Sequence, residues 1–294
     1  MKKTVFTGSG VALITPFKDG KVDWSSLEKL IEFHLENKTD ALIICGTTGE
    51  SAAMPDEEHI SVVKFAVDKV CGRVPVIGGA GSNDTMHGIK LAKGIEEAGA
   101  DALLLVTPYY NKCTQKGLIA HYKVMAEAVS IPCILYNVPS RTGLNIEPKT
   151  AYELSKVENI VGIKEASGKL EAAIEIAKLC GEDFAIYSGN DDIVVPLMSM
   201  GAKGVISVLA NVVPEETHDM CQAALDGDYE TARKLQIKYF DLINLLFCEV
   251  NPIPVKAAME MMGFCGPEIR MPLSVMEDEH KELLKKEMLA LKIL

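Results

Sequence analysis

The chain has 294 residues, 48% of them hydrophobic and 24% charged, and carries a net charge of −11 at neutral pH. Such a balance describes a globular chain with a substantial core, and an acidic surplus without a basic stripe argues against nucleic-acid binding. No apolar run reaches membrane-spanning length, so no membrane partner is expected either.

In chain order the elements alternate. An apolar run predicts a first strand over Gly10–Phe17, and Ser25–Asn37 comes next as a serine-capped helix with Leu27, Leu30, Ile31 and His34/Leu35 on one face. Further strands are predicted over Ala41–Thr48, Val74–Gly81, Ala102–Tyr110, Pro132–Pro139, Ile160–Ser167, Phe184–Asp191 and Lys203–Asn211. Between them lie amphipathic stretches at Pro55–Val70, Thr85–Ala98, Gln115–Val129, Pro148–Lys156, Leu170–Cys180 and Ile193–Met200. Pro55, Asp56, Glu57 and Glu58 give the first of these a proline and acids suited to a helix N-terminus.

Strands and helices alternating at roughly thirty-residue spacing predict an α/β fold, a (β/α)8 TIM barrel. A doubly wound open sheet is the alternative, but no GxGxxG follows the first strand and no P-loop is present. Beyond residue 226 strand signals stop. Asp228–Phe247, Pro252–Gly263 and Glu277–Leu291 read as helices, the first capped by Asp228. The expected division is a barrel over 1–226 and a C-terminal α-helical region over 227–294. Met259, Met261 and Met262 in that region read as packing.

Cys45, Cys71, Cys113, Cys133, Cys180, Cys221, Cys248 and Cys265 form no CxxC pair, and Cys45 and Cys133 fall inside apolar runs. This usage fits a reducing intracellular compartment better than a disulfide framework, and a cytoplasmic location is expected. The six histidines lack HxxxH or HxH spacing, so no metal site is expected. Met1-Lys2-Lys3 imitates the basic head of a signal peptide. Gly8, Gly10 and Pro16 interrupt the apolar run behind it, and no small-residue cleavage site appears.

In a (β/α)8 barrel the residues just past the strand carboxyl ends build the active site. The sixth strand delivers Lys164 from an apolar wall. A free lysine is neutral only about once in 2,500 molecules at pH 7, so a nucleophilic lysine needs an environment built for it. Taken alone, Lys164 reads first as a lysine snorkelling to solvent past the strand end, and only the other strand ends reverse that. The second strand ends in Cys45-Gly46-Thr47-Thr48-Gly49-Glu50-Ser51, either a hydroxyl-capped turn or an anion nest. Thr107-Pro108-Tyr109-Tyr110 ends the fourth, where paired tyrosines also serve as packing. Tyr136-Asn137-Val138-Pro139-Ser140-Arg141-Thr142-Gly143 ends the fifth, its arginine a carboxylate clamp or a surface charge. Ser188-Gly189-Asn190-Asp191 ends the seventh, and Ile206-Ser207 lies in the eighth. Amine, hydroxyls, nest and arginine together suit Schiff-base chemistry on an anionic keto acid, with no cofactor expected.

The stretches GTTGES at 46–51, TPYYN at 107–111, YNVPSRTG at 136–143, GIKEAS at 162–167 and SGND at 188–191 resemble the dihydrodipicolinate synthase family. That family lies within the pyruvate-dependent class I aldolases, beside the N-acetylneuraminate lyases. The likeness runs from about Gly10 to Lys256 and takes in Asn251-Pro252-Ile253-Pro254-Val255-Lys256. It implies a lyase that condenses pyruvate with L-aspartate 4-semialdehyde to 4-hydroxy-tetrahydrodipicolinate, in lysine and diaminopimelate biosynthesis. A covalent pyruvate imine on Lys164 would be the intermediate, and the protein would be a homotetramer, a dimer of dimers.

By the same resemblance Thr48, Tyr110 and Tyr136 form a proton relay, with Tyr110 reaching into the neighbouring subunit's site. Thr47 and Thr48 hold the pyruvate carboxylate, Gly189 and Ile206 supply backbone contacts, and Arg141 binds the semialdehyde carboxylate. Ala52, His59, Asn83 and Tyr109 match the site at which some members bind lysine as an inhibitor. His87 stands where a carboxylate would grip the lysine amino group, and Asp56 replaces a position that can be histidine. Weak or absent inhibition is therefore expected. An aldolase for N-acetylneuraminate or a 2-keto-3-deoxy sugar acid, and a non-catalytic ligand-sensing barrel, are the alternatives.

Overall fold

A computed structural model describes Lys2 and residues 4–294; Met1 and Lys3, in the basic start, lie outside the described residues. Eight parallel strands close into a barrel: β1 (Gly8–Ala12), β2 (Ala41–Ile44), β3 (Val76–Gly79), β4 (Ala102–Val106), β5 (Cys133–Asn137), β6 (Ile160–Glu165), β7 (Ala185–Ser188) and β8 (Gly204–Ser207). Each strand pairs with its sequence neighbours, and β1 closes the ring on β8 with Gly8 opposite Gly204 and Val11 opposite Ser207. Helices α1 (Trp24–Glu36), α2 (Asp56–Val70), α3 (Thr85–Glu97), α4 (Gln115–Glu127), α5 (Pro148–Ser155), α6 (Leu170–Cys180), α7 (Val194–Met198) and α8 (Pro214–Leu225) alternate with the strands. The fold is the expected (β/α)8 barrel with C-terminal helices. No helix among the described residues is long and apolar enough to cross a membrane.

Every strand ends earlier than its apolar run does. Cys45, Thr107, Val138, Ala166 and Val208 are buried beyond the last ladder residue, so the loops dip inward and keep the hydrophobic signal going. The first strand also begins two residues before its predicted start, and Phe17 belongs instead to a small antiparallel hairpin, Phe17–Lys18 against Lys21–Val22. Gly10, which interrupts the apolar run in sequence, sits inside β1, where an added Cβ would come within 2.7 Å of the Phe6 ring and 2.8 Å of Ile43. Its missing side chain makes room for Phe6, whose ring stacks on Tyr187 at 4.4 Å within the inner core.

Two helix signals differ as well. Asp23, not a serine, caps α1, accepting from the Ser26 amide at 3.1 Å and the Ser26 hydroxyl at 2.8 Å. Helix α8 has no predicted counterpart, although Pro214, Glu215 and Glu216 carry the usual N-terminal pattern. The tail forms α9 (Tyr229–Lys238), α10 (Phe240–Leu245), α11 (Ile253–Met261) and α12 (Asp278–Ala290). The single helix predicted over Asp228–Phe247 is split at Tyr239, which is buried and donates its hydroxyl to Glu216 of α8 at 3.1 Å. Asp228 caps α9 as expected, accepting from the Thr231 amide at 3.0 Å. Leu242, Ile243, Leu284, Met288 and Met259 join the same apolar core as the outer faces of the barrel strands.

Two buried imidazoles make this core sensitive to acid. His34 contacts the Thr39 hydroxyl at 2.9 Å, and His59 donates to the Gly79 carbonyl at 2.8 Å. Burial pushes His34 from its ordinary 6.5 down to about 3 and His59 down to about 4. The unfolded chain takes up protons near pH 6.5 that the folded chain refuses. Stability is therefore complete above that value and falls as the pH drops through the window, by up to about 1.4 kcal/mol per pH unit for each ring. Thermal unfolding is expected to show a Tm that declines from neutral pH toward about pH 5, less steeply in His34→Gln. A midpoint flat over that range would overturn this reading.

Candidate active site

The register of the barrel assembles the centre of the site. Tyr136 on β5 lies directly beside Lys164 on β6, and Lys164 beside Tyr187 on β7. Lys164 is 6% exposed, so its side chain does not snorkel to solvent, and its Nζ sits 4.5 Å from the centre of the Tyr136 ring. Gly189 follows β7, and its amide donates to the Glu165 carbonyl at 2.7 Å. A Cβ at Gly189 would lie 2.5 Å from Ala166 Cβ and 3.0 Å from Lys164 Cε, so glycine is what leaves the lysine chain its path. Ile206 is buried on the neighbouring strand β8.

The turn after Ile206 is held by a residue to which sequence reasoning gave no role. The Asp191 carboxylate accepts from the amides of Val208 at 2.9 Å and Leu209 at 3.0 Å. Burial pushes its carboxyl above the ordinary range, opposed by these hydrogen bonds and by the charge of Lys164. Asp191 was visible in SGND only as part of a glycine turn, because the amides it grips lie on another strand's loop.

Thr47 and Thr48 occupy the loop after β2, with Thr48 buried and Thr47 partly exposed. Cys45 (φ +53°) and Glu50 (φ +56°) adopt left-handed backbone on either side of them, a conformation uncommon for residues with side chains. The loop is pinned through Glu50: its carboxylate receives Lys256 Nζ from α11 at 2.6 Å and the Arg270 amide at 2.9 Å. Arg270 in turn forks onto Glu58 and lies 4.1 Å from the Phe17 ring. Lys256 lies within the stretch Asn251–Lys256, where nothing in the sequence marks its partner.

Arg141 stands on a one-turn helix, Pro139–Thr142, and donates to the Asn251 carbonyl at 3.2 Å. Asn251 also donates its side-chain amide to Thr48 Oγ1 at 3.0 Å. Tyr110, in contrast, is 91% exposed with φ +69°, and the chain does not bury it beside Lys164 and Tyr136.

The residues matched to a lysine site gather around the loops after β2, β3 and β4. Ala52 is exposed, Tyr109 is 38% exposed, and the Asn83 carbonyl accepts from Asn111 at 2.9 Å. His59 is buried on the Gly79 carbonyl rather than open to a ligand. His87 reaches Asp56 at 2.8 Å and Lys90 reaches it at 3.0 Å, and these two partners hold its carboxyl below the ordinary range.

A closed (β/α)8 barrel with a buried lysine at the carboxyl end of its sixth strand has the build of a class I, lysine-dependent aldolase. Residues 5–291 match the Dihydrodipicolinate synthetase family, and the chain belongs to that family. It is 58% identical over 284 residues to 4-hydroxy-tetrahydrodipicolinate synthase of Caldicellulosiruptor bescii, covering 96% of each chain. Among solved structures, dihydrodipicolinate synthase from Aquifex aeolicus superposes with a TM-score of 0.97 at 47% identity, covering 98% of this chain and 99% of that one. The enzyme from Cyanidioschyzon merolae, solved with lysine bound, gives 0.96 at 39% identity, covering 99% of this chain and 100% of that one.

Proposed function

We infer that this lyase joins pyruvate to L-aspartate 4-semialdehyde to give 4-hydroxy-tetrahydrodipicolinate, a step of lysine and diaminopimelate biosynthesis. The observation that carries the reading is the burial of Lys164 against Tyr136 in a chain so close to named synthases. In this reading Lys164 attacks the ketone of pyruvate and water leaves, forming a protonated imine. The imine is an electron sink, so the pyruvyl methyl loses a proton and becomes an enamine, whose carbon attacks the aldehyde. The substrate amine then displaces Lys164 by transimination, closing the ring and freeing the enzyme. Each proton transfer along Tyr136, Thr48 and Tyr110 would contribute about 10²–10⁴ in rate.

Thr47 and Thr48 hold the pyruvate carboxylate, Gly189 and Ile206 contribute backbone contacts, and Arg141 receives the semialdehyde carboxylate. No cofactor is required, since the imine itself carries the electrons. Tyr110 enters from a second copy, which calls for at least a dimer, and the family resemblance implies a homotetramer built as a dimer of dimers. A tyrosine both 91% exposed and in left-handed backbone favours a role against a second copy, because no contact among the described residues accounts for either feature.

The test is pyruvate consumption by the purified enzyme on adding L-aspartate 4-semialdehyde, with N-acetylmannosamine in a parallel tube. Consumption with the semialdehyde alone supports the reading. Consumption with the sugar alone would replace it by a sialic-acid aldolase and leave Arg141 with another role.

For inhibition by lysine, the proposed site offers no free carboxylate. Asp56 is already occupied by His87 and Lys90, and these side chains present nitrogen where an incoming ammonium needs oxygen. A lost charge-assisted bond weakens binding by ~1.5–3 kcal/mol. Turnover titrated with L-lysine is expected to show no inhibition in the micromolar range; micromolar inhibition would refute the argument.

A further inference from the structure

We propose that Asn251 is a positioning residue that sets the direction in which Thr48 donates its hydroxyl hydrogen, an assignment that rests on the reaction inferred above. Asn251 lies outside the barrel strands, just ahead of α11, and is 6% exposed. Its Nδ2 donates to Thr48 Oγ1 across 203 residues of chain, and its carbonyl accepts from Arg141. One tail residue therefore touches both the relay hydroxyl and the arginine clamp. Its Oδ1 is buried without a hydrogen-bond partner among the described residues. Burying an amide oxygen unpaired is unfavourable, so packing alone does not explain an asparagine here.

A threonine hydroxyl has one hydrogen to give and two lone pairs to receive. With one lone pair engaged by Asn251, the Thr48 hydrogen is turned away from that amide and toward the pocket. A hydroxyl that accepts one hydrogen bond also donates the next more strongly. In the relay this favours Thr48 as the donor to the Tyr136 oxygen, and so favours Tyr136 in the form that takes a proton. The same residue holds Arg141 through its backbone, which a side-chain substitution leaves in place.

The side-chain claim separates from a packing role in Asn251→Ala and Asn251→Asp. Alanine removes the donor, and kcat is expected to fall roughly tenfold, the scale of one lost hydrogen bond in a buried site. The acid limb of its pH profile moves upward, because without the Thr48 hydrogen bond Tyr136 reaches its proton-accepting form less readily. Aspartate keeps the shape but, when ionised, only accepts. It turns the Thr48 hydrogen back toward itself, so Asn251→Asp is expected to have a lower kcat than Asn251→Ala at neutral pH and saturating pyruvate. The gap closes as the pH falls and the carboxyl regains a proton to donate.

Borohydride trapping of pyruvate on Lys164 is measured in parallel and is expected to survive in both variants. Equal losses in the two, with pH profiles unchanged from the parent, would overturn the proposal. A parent enzyme that traps pyruvate but never consumes it with the semialdehyde would instead overturn the reaction on which the proposal rests.

Discussion

Lys164→Ala is expected to abolish both the pyruvate adduct and turnover, lowering kcat by a factor on the order of 10⁶, the scale for losing a covalent nucleophile. No other amine replaces it. Among the described residues Lys256 is the other buried lysine, but its Nζ is engaged 2.6 Å from Glu50. The fold is expected to survive the change, because Lys164 forms no ion pair among the described residues and Asp191, which its charge favours, keeps its hydrogen bonds from the Val208 and Leu209 amides. The check is a mass measurement after borohydride reduction in the presence of pyruvate, beside a melting curve. An adduct persisting in the alanine variant would move the nucleophile elsewhere.

The largest loss of stability is expected at Lys256. Its ammonium and the Glu50 carboxylate have side-chain exposures of 2% and 1%, and the Nζ also lies 4.4 Å from the Phe17 ring. Burial pulls the lysine pKa below its ordinary value, while Glu50 works in the opposite direction. Deleting one member of a buried pair leaves the other charged and unmatched, at a cost of about 3–5 kcal/mol. For Lys256→Met the Tm is expected to drop by on the order of ten degrees. Glu50→Leu combined with Lys256→Met should recover much of that, since an apolar pair demands no counter-charge. Because Glu50 pins the Thr47–Thr48 loop, the single variant should also show a raised KM for pyruvate. A melting temperature equal to the parent's would refute the stability claim.

The barrel was legible because each strand is an apolar run buried on both faces and each helix has one apolar side. What blurred was the carboxyl edge. Val138, Ala166 and Val208 leave the ladder but stay buried, so hydrophobicity does not mark where strand becomes site. Lys164 was legible from its abrupt place at the end of IVGI, and Gly189 from its turn. Asn251, Lys256 and Arg270 were not, because their partners Thr48, Glu50 and Glu58 lie more than two hundred residues away. Periodicity carries no trace of a pairing at that distance. Asp191 was hidden for a related reason: a carboxylate capping amides on the next strand's loop looks, in sequence, like any polar turn residue.

The ion pair that ties α11 to the loop after β2 also orders events during synthesis. Glu50 leaves the ribosome 206 residues ahead of Lys256. At about 5–20 residues per second it waits roughly 10–40 seconds for its cation. Through that interval Glu50 has no Lys256 to pair with, so the contact that pins the Thr47–Thr48 loop to α11 forms late in translation. The cation that locks the loop after β2 is thus supplied by a segment made long after the loop itself.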